Sequence, residues 1–512
     1  MSDVLIIGAG IVGSAIARKL SRYQLDVQVI EAADDVSMGA TKANSAIVHG
    51  GYAEAHSKLK GRLCYKGRCQ FAKLNEELHF GFSPIGSLVI AFDDSDLPKL
   101  NELLENGKKN GLTDLKILNH DEIMAMEPNI NPEVKYALYC EGAGVTSPYE
   151  MAIALMENAI HNGVKLALNR RVTSIEKTED GFRVTAENTA RPCPVSDNPN
   201  LKPVDRGPDK EVYESRIVIN CAGVQSGVIS NMVGINDFTI HPRSGEYILF
   251  ARGTGKAVNH VLFQMPSRMG KGILVTPTYH GNLLLGPDAI DEDRVNRATS
   301  AERLINIYRQ AQHTTTHIDA SRFIRSFAGV RAVSSTDDFI IEHSRVHGFI
   351  QCAGIQSPGM TSSPAIADMV CEIIDNDLIH LKEKDNFDPY RKPIIEKKEL
   401  RPMSEIAPLV KLESGDERIV CRCEQVTEGT IKDAITREIP VTTIDGVKRR
   451  TRAGMGYCQG TFCRPRVKKL MEDTLGIPID DGFDTEHSGI NRVSKSEFVT
   501  FMEEEAKKQA EG

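Results

Sequence analysis

Four cysteines near the C-terminal end carry the densest chemistry in the chain. Cys421 and Cys423 form a C-x-C pair, and after 34 intervening residues Cys458 and Cys463 form a C-x4-C pair. Two such pairs brought together offer four thiolates, enough for one tetrahedral zinc or for the two irons of a 2Fe–2S cluster, and spacing alone leaves both open. The chain has 11 cysteines, an odd number, and Met1-Ser2-Asp3 offers neither a basic flank nor a small-residue cleavage site. A reducing compartment is therefore expected, and clustered thiols read as metal ligands before disulfides. The seven scattered cysteines read as packing residues.

A second constellation lies at the other end. Gly8-Ala9-Gly10-Ile11-Val12-Gly13 is a G-x-G-x-x-G run between a strand and a helix, and Glu31 ends the next strand. An acid about 20 residues past such a run is the signature of a dinucleotide site. Gly8 permits the turn, Gly10 lets backbone approach a pyrophosphate, and Gly13 lets helix and strand pack closely. The helix N-terminus offers N–H groups and positive dipole to the phosphates. Glu31 suits a ribose hydroxyl. Fixed positive charge for a small anionic substrate is available at Lys271, set between Gly270 and Gly272 where it can act as a point charge.

These residues need elements to hold them. Val4-Leu5-Ile6-Ile7 reads as a buried parallel strand; Ile16, Ala17 and Leu20 repeat at helical spacing; Val27 to Glu31 is a second strand. That completes a β-α-β unit. Ile217 to Gly223 and Gly348 to Gly354 are further strands running into glycine turns, the latter followed by a helix opening at Ser357-Pro358-Gly359. Residues 190–212 are rich in Pro, Asp and Asn and read as a surface excursion between two strands. From Lys382 to Glu405 the chain is charged and Pro-rich, a linker that sets the cysteine module apart.

At 512 residues, 41% hydrophobic and 26% charged, the chain should form two to four domains and is no disordered segment. No apolar run approaches the ~18 residues of a membrane span, so no direct span is expected. A net charge of −8 argues against a nucleic-acid partner.

Three blocks, the N-terminal fingerprint, Ile217 to Gly223 and Gly354 to Pro364, resemble the flavin-dependent oxidoreductases of the D-amino acid oxidase-like family. The run Thr41-Lys42-Ala43-Asn44-Ser45-Ala46-Ile47-Val48-His49-Gly50-Gly51 resembles the segment that passes the flavin in its glycerol-3-phosphate dehydrogenases and oxidases and in L-2-hydroxyglutarate dehydrogenases. The text around the cysteines, Val420 to Glu424, Val447 to Gly456 and Gly460 to Val467, resembles the bacterioferritin-associated-ferredoxin-like 2Fe–2S domain. The order of parts is similar to the A subunits of anaerobic glycerol-3-phosphate dehydrogenases.

The resemblance implies an α/β flavoprotein with a glutathione-reductase-like FAD domain, a mixed-sheet substrate domain and a small helical C-terminal iron–sulfur domain. The FAD domain is expected at 1–80, 141–235 and 326–385, and the substrate domain at 81–140 and 236–325. A linker (386–415), the 2Fe–2S domain (416–475) and a tail (476–512) follow. It implies FAD held by Gly8, Gly10, Gly13, Glu31, Thr41, Lys42, Asn44, Ser45, Val172, Ala222, Gly223, Gly354, Ser357, Gly359, Met360 and Thr361, with the last glycine turn running under the flavin ring. It implies His49 as the base for a substrate hydroxyl, Lys271 and Arg331 as anion binders, and Cys421, Cys423, Cys458 and Cys463 as ligands of a 2Fe–2S cluster. The implied activity is FAD-dependent oxidation of sn-glycerol 3-phosphate to dihydroxyacetone phosphate in the cytoplasm. Hydride would go to flavin N5, with the cluster relaying electrons to a protein subunit or quinone-linked chain. Any membrane association would come through a partner subunit. A 2-hydroxy acid such as L-2-hydroxyglutarate or an imino acid remains open as substrate, and so does a non-catalytic flavin and iron–sulfur redox sensor.

Overall fold

The run Val4-Leu5-Ile6-Ile7 has no polar face, and a strand of that kind must be covered on both sides. In the computed structural model it lies at the centre of the first sheet, each of the four residues at most 5% exposed. Residues 1–194, 196, 198–265, 272–395, 399–480 and 490–511 are described, with side chains as far as 504.

Five strands of the first sheet run parallel, in the order Phe349–Ala353, Lys210–Asn220, Ser2–Ile7, Val27–Ile30 and Lys165–Ala167. An antiparallel meander, Arg170–Lys177 and Phe182–Asn188, extends it along the first half of Lys210–Asn220, and Ile340–His343 pairs antiparallel with Phe349–Ala353. The helices Ile11–Leu20, Pro148–His161 and Gly359–Asp377 bury one face. The other face packs under the meander and the short helix Ser226–Met232. The Pro- and Asn-rich excursion emerges between Phe182–Asn188 and Lys210–Asn220.

The second sheet is mixed and nine-stranded, built from residues 87–140 and 240–334. Its backbone is a long antiparallel pair, Ile240–Phe250 against Phe323–Ser334, in register from Ile240↔Ser334 to Leu249↔Arg325, with a shift before Phe250↔Phe323. The sequence reading returns the chain to the FAD domain at 326. In the structure Phe323–Ser334 stays in the second sheet along its whole length, and the first sheet is rejoined at Ile340–His343. An extended hydrogen-bonded pair cannot be divided between two domains part-way along its length.

The segment past 476, read as a tail, forms the helix Lys495–Glu511. Phe498 is fully buried and stacks on Phe323 with ring centroids 4.8 Å apart, so this helix covers part of the second sheet. The cysteine module has its own core of Val420, Ile431, Val447, Val467 and Met471 between the helices Glu428–Ile435, Ile444–Thr451 and Arg464–Leu475. The linker before it is strapped down: Asn158 Nδ2 donates to the carbonyls of Asp388 and Tyr390, and Arg391 pairs with the buried Glu157 at 2.5 Å. Among the described residues no helix is long and apolar enough to cross a membrane.

Candidate active site

The strand Ser2–Ile7 turns sharply into the helix Ile11–Leu20, and glycine is required at both ends of the turn. Gly8 has φ +104°, and a Cβ there would lie 2.6 Å from the Cys221 carbonyl oxygen; one at Gly13 would lie 2.0 Å from the Gly8 carbonyl oxygen. Helix and strand therefore pack backbone to backbone. Gly10 is the N-cap and brings no capping side chain. Thr41 Oγ1 accepts the first helical N–H, from Ile11, at 3.0 Å. The rest of the first turn faces an open cradle, since a Cβ at Gly10 would touch only Thr41 Oγ1, at 3.4 Å. Glu31 accepts from the Ala9 and Ala33 N–H groups at 2.7 and 2.9 Å. Burial raises its carboxyl, and those N–H bonds work against the rise.

This cradle opens into a cavity of ≈ 1590 Å³ between the two sheets. Common small-molecule pockets span roughly 300–1,000 Å³, so there is room for a dinucleotide and a small substrate together. Of the expected FAD residues, Gly8, Gly10, Glu31, Thr41, Lys42, Asn44, Ser45, Val172, Ala222, Gly223, Ser357, Gly359, Met360 and Thr361 line it. Gly13 and Gly354 do not. Gly13 serves the close helix–strand contact, and Gly354, at φ +65°, serves the approach of its turn to Ser334, whose Cβ would lie 2.5 Å from an added Cβ. Asn44 shapes its own loop, donating to the Thr41 carbonyl at 2.8 Å and accepting from the Ala46 N–H at 2.8 Å.

His49 also lines the cavity, held by residues more than 300 positions away. Its backbone N–H donates to Thr361 Oγ1 at 3.0 Å, and its Nε2 lies 3.3 Å from Ser357 Oγ. Arg331 lines the same cavity from the strand Phe323–Ser334, where alternation puts Arg325, Phe327 and Arg331 on one face. Across the pair, Tyr247 stacks on Phe327 with centroids 4.7 Å apart and planes 11° apart. Burial raises the Tyr247 hydroxyl, while Arg331, which hydrogen-bonds to it, acts in the opposite sense. Lys271 lies outside the described residues. Tyr247 and Phe327 escaped the sequence reading; the alternation of residues 323–334 was the signal that could have found Phe327.

The cysteine module forms part of the same cavity wall. Met455 and Gln459 line it, and Gln459 follows Cys458 directly. Arg452 also lines it and pairs with Glu424, the neighbour of Cys423, at 2.8 Å. Close by, His280 Nε2 lies 2.7 Å from Glu150, and burial together with Arg452 lowers its pKa against that carboxylate. A buried ion-pair cluster bolts the module to the first sheet's loop. Asp35 takes Arg450 bidentately at 2.7 and 2.9 Å and Arg449 at 2.8 Å. Nothing in the sequence signalled this contact, because its partners are about 415 residues apart.

Within the module Cys423 Sγ lies 3.5 Å from Cys458 Sγ, and the Cys463 thiol donates to Cys421. That bond holds Cys421 down to about 6, helped by the N–H groups of Gly454 and Glu424, while burial pushes Cys423 up to about 11. Among the described residues no three His, Cys, Asp or Glu side chains converge on a single metal-sized point. Two thiol pairs fit a two-iron cluster, which takes a pair of thiolates at each iron, better than one tetrahedral zinc.

Residues 3–373 match the family described as FAD dependent oxidoreductase. The chain belongs to that family. Residues 419–473 of this flavoprotein match the BFD-like [2Fe-2S] binding domain. A glycerol 3-phosphate dehydrogenase of Caloramator mitchellensis is 43% identical over 491 residues, 96% of this chain and 97% of the relative. The glycerol 3-phosphate oxidase of Mycoplasma genitalium is 29% identical over 76% of this chain and 97% of its own. The dithionite-reduced, FAD-bound L-alpha-glycerophosphate oxidase of Mycoplasma pneumoniae superposes with a TM-score of 0.68 at 26% identity, covering 76% of this chain and 98% of that one. The flavoprotein is thus an oxidoreductase of α/β fold whose cofactors are FAD and a 2Fe–2S cluster.

Proposed function

We propose that this flavoprotein oxidises the secondary alcohol of sn-glycerol 3-phosphate to dihydroxyacetone phosphate and passes the electrons on through its cluster. The observation that carries the reading is that His49, Arg331 and the Gly8-to-Glu31 cradle open on one cavity, which the cluster module helps to wall. The likeness to a glycerol 3-phosphate dehydrogenase, which extends through both modules, supports it. When bound, FAD supplies a hydride acceptor at N5 and the cluster a one-electron acceptor. The protein residues position the substrate and move its proton. Arg331, steadied by Tyr247, binds the phosphate as a planar fork, with Lys271 as a second cation. His49 Nε2, beside Ser357, takes the hydroxyl proton. Thr361 holds the His49 backbone and so keeps the ring at the cavity wall. In the cluster module, Cys421, Cys423, Cys458 and Cys463 would hold the two irons through their thiolates. Met455 and Gln459, at the cavity wall, put the cluster module beside the cradle in which FAD would bind.

An anaerobic absorbance spectrum of the purified protein, before and after glycerol 3-phosphate, tests this. Flavin bands and broad cluster absorbance that both bleach are expected. Bands that ignore glycerol 3-phosphate but bleach with L-2-hydroxyglutarate or an imino acid would overturn the substrate. Bands that no hydroxy or imino substrate bleaches would point to a redox sensor.

A further inference from the structure

The loops that carry the cysteines present an unusual surface to solvent. Among the described residues no large apolar side chain is more exposed than Phe462, at 71%, and it immediately precedes Cys463. Tyr457, 57% exposed, immediately precedes Cys458. Arg422 is exposed between Cys421 and Cys423, and Arg466 is exposed one helical turn beyond Phe462. Because Cys423 meets Cys458 and Cys421 meets Cys463, the two loops that carry these exposed residues come together around the thiols. Cations rim that surface. Lys495 donates to the Tyr457 hydroxyl at 3.0 Å, and Arg322 sits 5.7 Å above its ring. The carboxylate of the same loop, Glu424, is turned inward onto Arg452 and Arg252. On a chain of net charge −8, this is a local cationic, aromatic patch above one-electron chemistry.

We propose that this face docks an acidic one-electron acceptor protein, which draws electrons from the cluster. The proposal rests on the dehydrogenase reading above. Each alcohol oxidised to the ketone releases two protons and two electrons, so two acceptor molecules are reduced per turnover. Charge complementarity selects the partner: aromatic side chains supply contact area, and arginines steer an acidic surface toward the cluster. A lipid surface would also attract arginines but takes no electrons, which is why a protein is favoured over a membrane.

The test uses the full-length holoprotein with the soluble domain of cytochrome b5 as an acidic acceptor and cytochrome c as a basic control. Dichlorophenolindophenol serves as a small acceptor that needs no docking. With glycerol 3-phosphate as donor, cytochrome b5 should be reduced faster than cytochrome c at low salt, and its rate should fall as salt rises. Phe462→Ser and Arg466→Glu should each slow cytochrome b5 reduction by about tenfold, with dye-linked turnover and cluster absorbance unchanged. Unchanged cytochrome b5 rates in both variants would overturn the proposal, as would a wild-type protein that reduces the dye but not cytochrome b5. Loss of binding to phosphatidylglycerol vesicles in the variants, with cytochrome rates intact, would assign the face to a membrane instead. Failure of the dehydrogenase reading shows separately, as an absence of dye reduction in the wild-type protein.

Discussion

At the scale of single residues, the site depends on His49 being both present and aimed. Its neighbours supply the aim: Thr361 fixes the backbone, Ser357 sits by Nε2, and the Phe263 ring lies 5.9 Å from the imidazole. If His49 takes the hydroxyl proton, His49→Asn should leave FAD bound and lower kcat by about 100-fold or more, the usual contribution of a general base. The wild-type rate should fall on the acid side as the imidazole protonates, and the variant should lose that limb. Dye-linked turnover measured against pH checks both. A variant whose KM rises while kcat and the pH profile stay as they were would make His49 a binding residue only.

At the scale of elements, the turn from Ser2–Ile7 into Ile11–Leu20 leaves no room for a side chain at its close. A Cβ at Gly13 would sit 2.0 Å from the Gly8 carbonyl oxygen, a backbone atom with no freedom to swing aside. Gly13→Ala must push helix and strand apart and spoil the cradle for the diphosphate. The variant should purify with less than a tenth of the wild-type FAD while keeping its cluster absorbance, since the module's core contains no residue of this turn. A flavin-to-protein ratio from absorbance is the measurement, and full FAD occupancy would contradict the account. The same scale explains why the end of the chain folds back. Phe498 has a ready partner in Phe323 on the second sheet, and burying a ring of that size is worth a few kcal/mol.

For the whole molecule, the decisive feature is how the cysteine module joins the flavin sheet. Asp35, Arg449 and Arg450 are all at most 4% exposed at the side chain. Burial pushes the Asp35 carboxyl up, but the Arg450 and Arg449 guanidiniums outweigh it and hold the group well below the usual carboxylate range. A depressed carboxylate stabilises the fold fully above its unfolded value of about 3.9, and this stability is lost as pH falls from there toward the folded value. Asp35→Asn would leave the buried Arg450 guanidinium without its carboxylate partner and Arg449 with Asp445 alone, at a cost of about 3–5 kcal/mol. Urea unfolding at pH 7 should show that loss, and it should shrink as pH is lowered below about 4, where the wild-type protein weakens toward the variant. Equal stability at pH 7 would mean that the pairs are not what joins the modules.

Much of this protein is legible in local sequence because the signals are local. The glycine run with Glu31 needs only a strand, a turn and a helix, and the close cysteine pairs need only two short loops. Patterns of that kind survive without knowledge of what packs against them. The resemblance in the 41–51 segment marked His49 by the same route. The tertiary structure decided the rest. It showed that the Gly354 turn packs closely on the Ser334 side chain, that Phe323–Ser334 stays with the second sheet, and that the last helix covers that sheet. It brought Thr361 to His49, Tyr247 to Arg331, and Arg449 and Arg450 to Asp35, all contacts across long chain separations. No periodicity encodes such pairs, because each depends on where two sheets and a third module come to rest. That resting place is set by the summed burial of their faces, which no single stretch of sequence contains.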